Sequence, residues 1–95
     1  MNTVVTAKFF PKEDKVSEMN EWFKDNLSET QSYEGCQLIK GCYNDETNEV
    51  LLYEIWDSQE AHKKYVDWRV ETGVIPMLVG LSIKEPEIVY HQEVY

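Results

Sequence analysis

The chain has 95 residues, with 18 acidic against 9 basic side chains and a formal net charge of −9. That balance excludes nucleic acid and anionic membrane surfaces as partners, since both demand clustered Lys and Arg. No apolar run nears the ~20 residues of a membrane span.

The length fits one domain over residues 1–95. Hydrophobic residues make up 42% and aromatic residues 13%. That is more apolar material than a small core hides, and it points to an oligomer or a pocket. The N-terminus lacks a basic segment followed by an apolar stretch, so no signal peptide is expected. Cys36 and Cys42 fall on one expected strand, roughly 20 Å apart at ~3.3 Å per residue. A disulfide needs Cα atoms within ~7 Å, so free thiols and a cytoplasmic location are expected. There is no CxxC and no Cys/His cluster at zinc spacing, so no metal site is expected.

Residues 3–10 read as a first strand, rich in β-branched and aromatic side chains and stopped by Pro11. Both of its faces carry apolar groups: Val5, Ala7 and Phe9 on one, Val4 and Phe10 on the other. A helix is expected over 14–31, with Asp14 as its N-cap. Val16, Met19, Phe23 and Leu27 form its apolar stripe and Trp22 sits at the stripe's edge. Gly35 marks a backbone conformation that other residues resist.

Residues 36–44 and 49–56 read as an antiparallel hairpin around the polar turn Asn44-Asp45-Glu46-Thr47-Asn48. In the second of these strands Val50, Leu52, Glu54 and Trp56 point one way, and Leu51, Tyr53 and Ile55 the other. Asp57 and Glu60 have capping-box spacing, so a second helix is expected from about Ser58. Ala61, Tyr65, Trp68 and Thr72 make one of its stripes, and His62, Val66 and Arg69 the adjacent one. Gly73 interrupts, a short helical turn follows over 75–80, and residues 87–94 form the last strand. The order is βαββαβ, the α+β ferredoxin-like pattern: a four-stranded antiparallel sheet with helices on one face. Val, Leu, Ile and Tyr on both strand parities leave the other face apolar, the physical argument for a homodimer closed sheet to sheet.

Phe9-Phe10-Pro11-Lys12, then Tyr33-Glu34-Gly35-Cys36, then Leu52-Tyr53-Glu54-Ile55-Trp56-Asp57-Ser58-Gln59-Glu60-Ala61-His62 resemble the antibiotic biosynthesis monooxygenase family. The resemblance covers nearly the whole chain and implies a dimeric α+β barrel. Members include quinone-forming oxygenases, haem degraders and proteins of undefined role. For the first group it implies oxidation of a flat phenol without flavin or metal, the phenol losing a proton and its anion reacting with oxygen. Such a site needs an apolar slot, a group that binds the phenolate and a proton acceptor.

The family's Trp is matched by Trp56. Its Asn, four residues earlier, is replaced by Leu52, which forms no hydrogen bond. Its Tyr, six residues later, is replaced by His62, a side chain suited to acid/base work near neutral pH. The haem-degrading branch fits less well. Val5 to Phe9 lack its Asn, Tyr65 stands at its Trp, and Ile75 at its His.

The candidate catalytic residues are therefore His62, Trp56 and Glu54, with Phe23, Leu52, Tyr65 and Trp68 against a small aromatic substrate and no cofactor. Each has a plainer reading. Trp56, Tyr65 and Trp68 are natural core, Glu54 a carboxylate that must find a buried partner, and His62 a solvated helix residue. Arg69 reads as a surface ion pair, and His91 as structural or at a dimer contact. Cys36 and Cys42 read as small packing residues. The alternative to an oxygenase is a non-catalytic dimeric module that binds a small apolar ligand or only packs.

Overall fold

A computed structural model describes residues Met1–Tyr95. Four strands form one antiparallel sheet: β1 (Thr3–Phe9), β2 (Cys36–Asn44), β3 (Glu49–Trp56) and β4 (Glu87–Gln92). Their order is β2-β3-β1-β4. Three helices, α1 (Val16–Gln31), α2 (Gln59–Glu71) and α3 (Val74–Gly80), complete the chain. This is the expected α+β ferredoxin-like fold. No helix is long and apolar enough to cross a membrane.

Alternation along β3 sets the layers. Val50, Leu52, Glu54 and Trp56 are buried under the helices, while Tyr53 is exposed on the far side. The register carries this face across the sheet, pairing Val5 with Glu54 and with Tyr90, and Ala7 with Leu52. Met19 and Phe23 of α1 and Leu78 of α3 close the core over it. On the far side, Val4 pairs with Ile55 and Thr6 with Tyr53 and Val89. No helix covers that face.

Three local expectations change. Asp14 does not cap α1. A 3-10 turn over Glu13–Lys15 precedes the helix, and no side chain accepts a hydrogen bond at its start. The chain there is pinned first, because the Lys12 amide donates to the Leu81 carbonyl at 2.8 Å and the Lys15 amide closes back on the Lys12 carbonyl. At α2 the cap is Ser58, whose hydroxyl accepts from the Ala61 amide at 3.1 Å. Asp57 instead accepts from the Gln37 side chain at 2.7 Å. The last strand stops at Gln92.

Gly35 has φ +92°, and a Cβ there would lie 2.8 Å from the Ala61 Cβ. The backbone conformation and the close approach of α2 both require glycine. Gly35→Ala is expected to cost about 2 kcal/mol, read as a lower urea midpoint at unchanged m-value.

Candidate functional site

The inner face of β3 and the underside of α2 bring the candidate residues together. Alternation places Glu54 between Leu52 and Trp56, facing the helices, and it is only 2% exposed. The Ser58 cap starts α2 at once, which sets His62 on the helix's inward side, also 2% exposed. The expectation of a solvated His62 therefore gives way to a buried one.

The Trp56 indole Nε1 donates to Glu54 Oε1 at 2.8 Å. His62 Nε2 lies 3.7 Å from the same oxygen. On its other side, His62 Nδ1 and the Tyr90 hydroxyl are 2.8 Å apart. Tyr90 was not among the expected site residues. Its signal was strand parity: it sits opposite Val5 on the core face.

The spacing of Glu54 and His62 is within ion-pair reach, yet burial favours the uncharged form of each. It pushes the Glu54 carboxyl up to about 7, against the Trp56 hydrogen bond that lowers it. It pulls the His62 imidazole down to about 4. Between those pH values the pair is a neutral acid beside a neutral imidazole. Burial also raises the Tyr90 hydroxyl, and the Glu54 charge adds to that. The Cys36 thiol is pushed up to about 11, chiefly by burial and then by Glu54, so it is an inert thiol.

A cavity of about 40 Å³ lies between sheet and helices. Glu54, His62, Leu52, Phe23 and Tyr65 all line it, as do Thr30 and Arg69. Trp56 and Trp68 stand outside the lining. Trp56 is fully buried and reaches the site through Glu54. Trp68 stacks on Tyr33 with ring centroids 5.2 Å apart. Both contacts on Glu54 fall on Oε1, so Oε2 is the oxygen left for an occupant. Beyond Phe23 and Leu27, which border both spaces, an open groove of about 270 Å³ runs between α1 and β2.

Arg69 is the largest departure from expectation. It is 3% exposed, not a surface residue. Its Nη1 donates to Glu29 Oε1 at 2.8 Å, its Nη2 to Thr30 Oγ1 at 3.2 Å and its Nε to the Tyr65 hydroxyl at 2.9 Å. The Thr30 and Tyr65 hydroxyls bond each other at 2.7 Å. His91 is exposed on the uncovered sheet face. Nowhere do three His, Cys, Asp or Glu side chains converge as metal ligands would.

No curated protein matches the chain in sequence. Solved structures match it in fold. Rv0793 from Mycobacterium tuberculosis superposes with a TM-score of 0.87 at 16% identity, over 100% of this chain and 97% of that one. A conserved protein from Methanosarcina mazei Go1 gives 0.85 at 23%, over 99% and 94%. A monooxygenase from the gene ActVA-Orf6 of Streptomyces coelicolor, in complex with the ligand nanaomycin D, gives 0.81 at 14%, over 99% and 88%. At these identities the likeness is one of fold. The sequence pattern described as antibiotic biosynthesis monooxygenase matches residues 3–68, a span that runs from β1 through Glu54, Trp56 and His62 to Trp68, and the chain belongs to that family.

Proposed function

We propose that this chain is a monooxygenase that oxidises a small phenolic aromatic molecule without a cofactor. The observation that carries the reading is a buried carboxyl held near neutrality at the wall of an apolar cavity, beside a neutral imidazole. A base with a pKa near the working pH is best matched to taking a phenol's proton. Glu54 Oε2 accepts that proton, and the Trp56 indole holds the carboxylate in place through Oε1. His62, held uncharged, is the weaker base and serves as hydrogen-bond partner to Tyr90. This moves the acid/base role from His62, where the sequence placed it, to Glu54.

The phenolate then reduces O2. One oxygen atom enters the ring as the second quinone oxygen and the other leaves as water, with the substrate supplying all four electrons. Phe23, Leu52 and Tyr65 face the ring, and Trp68 backs Tyr65. Family membership supports the reaction class, and the nanaomycin D complex of the Streptomyces coelicolor monooxygenase supports a small-molecule site in this fold.

Two observations favour the second reading, a non-catalytic ligand-binding module. At about 40 Å³ the cavity matches one water molecule, whereas a benzene-sized guest needs ~150 Å³. Leu52 also supplies no hydrogen bond where the family's quinone-forming members carry Asn. A ring enters only if the walls give way, and Phe23 and Leu27 also border the adjoining groove. Oxygen uptake by the metal-free protein with anthrols, naphthols and hydroquinones separates the two readings. Uptake above the blank that falls in His62→Ala is expected. Binding without uptake moves the assignment to the module.

The site belongs, in this reading, to a homodimer. Val4, Ile55, Tyr53 and Val89 leave an apolar sheet face that no helix covers. Sedimentation at micromolar concentration is expected to give a dimer, and Ile55→Glu a monomer. A wild-type monomer would remove the dimer from the proposal.

A further inference from the structure

We infer that Arg69 is an anion anchor, so that the cavity's ligand is an aromatic hydroxy acid, with its hydroxyl toward Glu54 and His62 and its carboxylate toward Arg69. This narrows the aromatic-ligand reading above and rests on it.

The argument begins with an imbalance of charge. Arg69 is withdrawn from water, and a buried cation needs an anion. The one carboxylate within ion-pair distance is Glu29, whose side chain is 57% exposed at the rim. An exposed partner can swing into solvent, and a ligand carboxylate that takes its place leaves the buried cation paired. The guanidinium also has donors to spare. Of its five N–H groups, three have protein acceptors, on Glu29, Thr30 and Tyr65.

The fork is also pre-oriented. Trp68 lies 4.5 Å from the guanidinium carbon, and Trp22 and Tyr65 each 5.4 Å. These rings fix its plane and stabilise its charge, and a planar fork suits a carboxylate better than an ammonium does. Tyr65 stands between the two poles. Its hydroxyl accepts from Arg69 while its ring lies 6.2 Å from His62. Arg69, Glu54 and His62 line the same space, whose other walls are apolar apart from Thr30. A flat molecule acidic at both ends matches the chemistry of that lining, and it fits only once the walls give way. The overall charge of −9 opposes any anionic ligand, so affinity for one requires a local cation, and Arg69 is the cation in this cavity.

The plain alternative is that Arg69 only ties α1 to α2. A structural tie has no reason to prefer an acid over a phenol. Calorimetry with 6-hydroxy-2-naphthoate and 2-naphthol reads that preference directly, with no turnover needed. The wild-type protein is expected to favour the naphthoate about tenfold or more. Glu29→Gln removes the competing charge and is expected to tighten naphthoate about threefold while leaving naphthol unchanged. Arg69→Lys keeps the charge but not the fork, and is expected to lose part of the preference. Arg69→Gln loses all of it. Should Arg69→Gln fail to fold by circular dichroism, the other two variants decide. Equal affinities for the two compounds in wild type and Glu29→Gln would overturn the anchor and leave the aromatic site standing. Binding of neither compound would overturn both.

Discussion

Glu54→Gln is expected to lower turnover of a phenolic substrate by about 10²–10⁴, the usual contribution of a positioned proton acceptor. The substitution is chosen to leave the fold intact. A Gln side-chain oxygen still accepts from the Trp56 indole, so the buried N–H keeps its partner. What disappears is the basic oxygen. In the wild-type protein, kcat/KM should rise about tenfold per pH unit and level off above about 7, where the Glu54 carboxyl ionises. In Glu54→Gln the levelling at about 7 should vanish. The residual rate should climb only as the substrate loses its own proton, near the ~10 of a simple phenol. The deficit should therefore shrink at high pH. A purely structural role for Glu54 would give a deficit constant with pH, and that result would remove the base from the mechanism.

How far this site could be read from the residues depends on the range of the contact involved. Glu54 was placed on the buried face by strand alternation with Leu52 and Trp56, because period-two geometry acts over neighbouring residues. The need for a partner followed from burial alone, and Trp56, two residues along on the same face, provides it. Gly35 was legible for the same reason: a turn demands its conformation locally. Arg69 was misread because its partners, Glu29 and Thr30, lie about forty residues away on another helix. Its surroundings are acidic in sequence but aromatic in space. Tyr90 was missed because its neighbour His62 comes from a separate element, and only the register of β4 against β1 brings them together. The volume of the cavity had no signal in the sequence. It is what remains after Phe23, Leu52, Leu78 and their neighbours have packed, a difference between large volumes to which no pattern of residues points.

The same buried pair should write two opposing slopes into stability against pH. Glu54 ionises at about 7 in the folded chain against an ordinary 4.5. Between those values the folded state holds the proton and the unfolded state has released it. Stability from this group is thus full below pH 4.5 and lost as pH rises through about 7, by about 3 kcal/mol. His62 is the mirror image, at about 4 folded against 6.5. There the unfolded state takes up the proton first. Its contribution is full above pH 6.5 and lost as pH falls through about 4, again by about 3 kcal/mol. In the wild-type protein the two slopes overlap between 4.5 and 6.5 and cancel.

Single substitutions should unmask them. Glu54→Gln leaves the His62 slope, so the variant gains stability relative to wild type as pH rises from 4.5 to 7. His62→Gln leaves the Glu54 slope, so that variant falls relative to wild type as pH rises from 4 to 6.5. Urea midpoints across pH 4–8 for the three proteins measure this, and the exposed carboxylates common to all three drop out of the differences. Differences that stay level with pH in both variants would mean that neither group is held away from its ordinary ionisation. The neutral acid beside a neutral imidazole, on which the proposed chemistry depends, would then not exist.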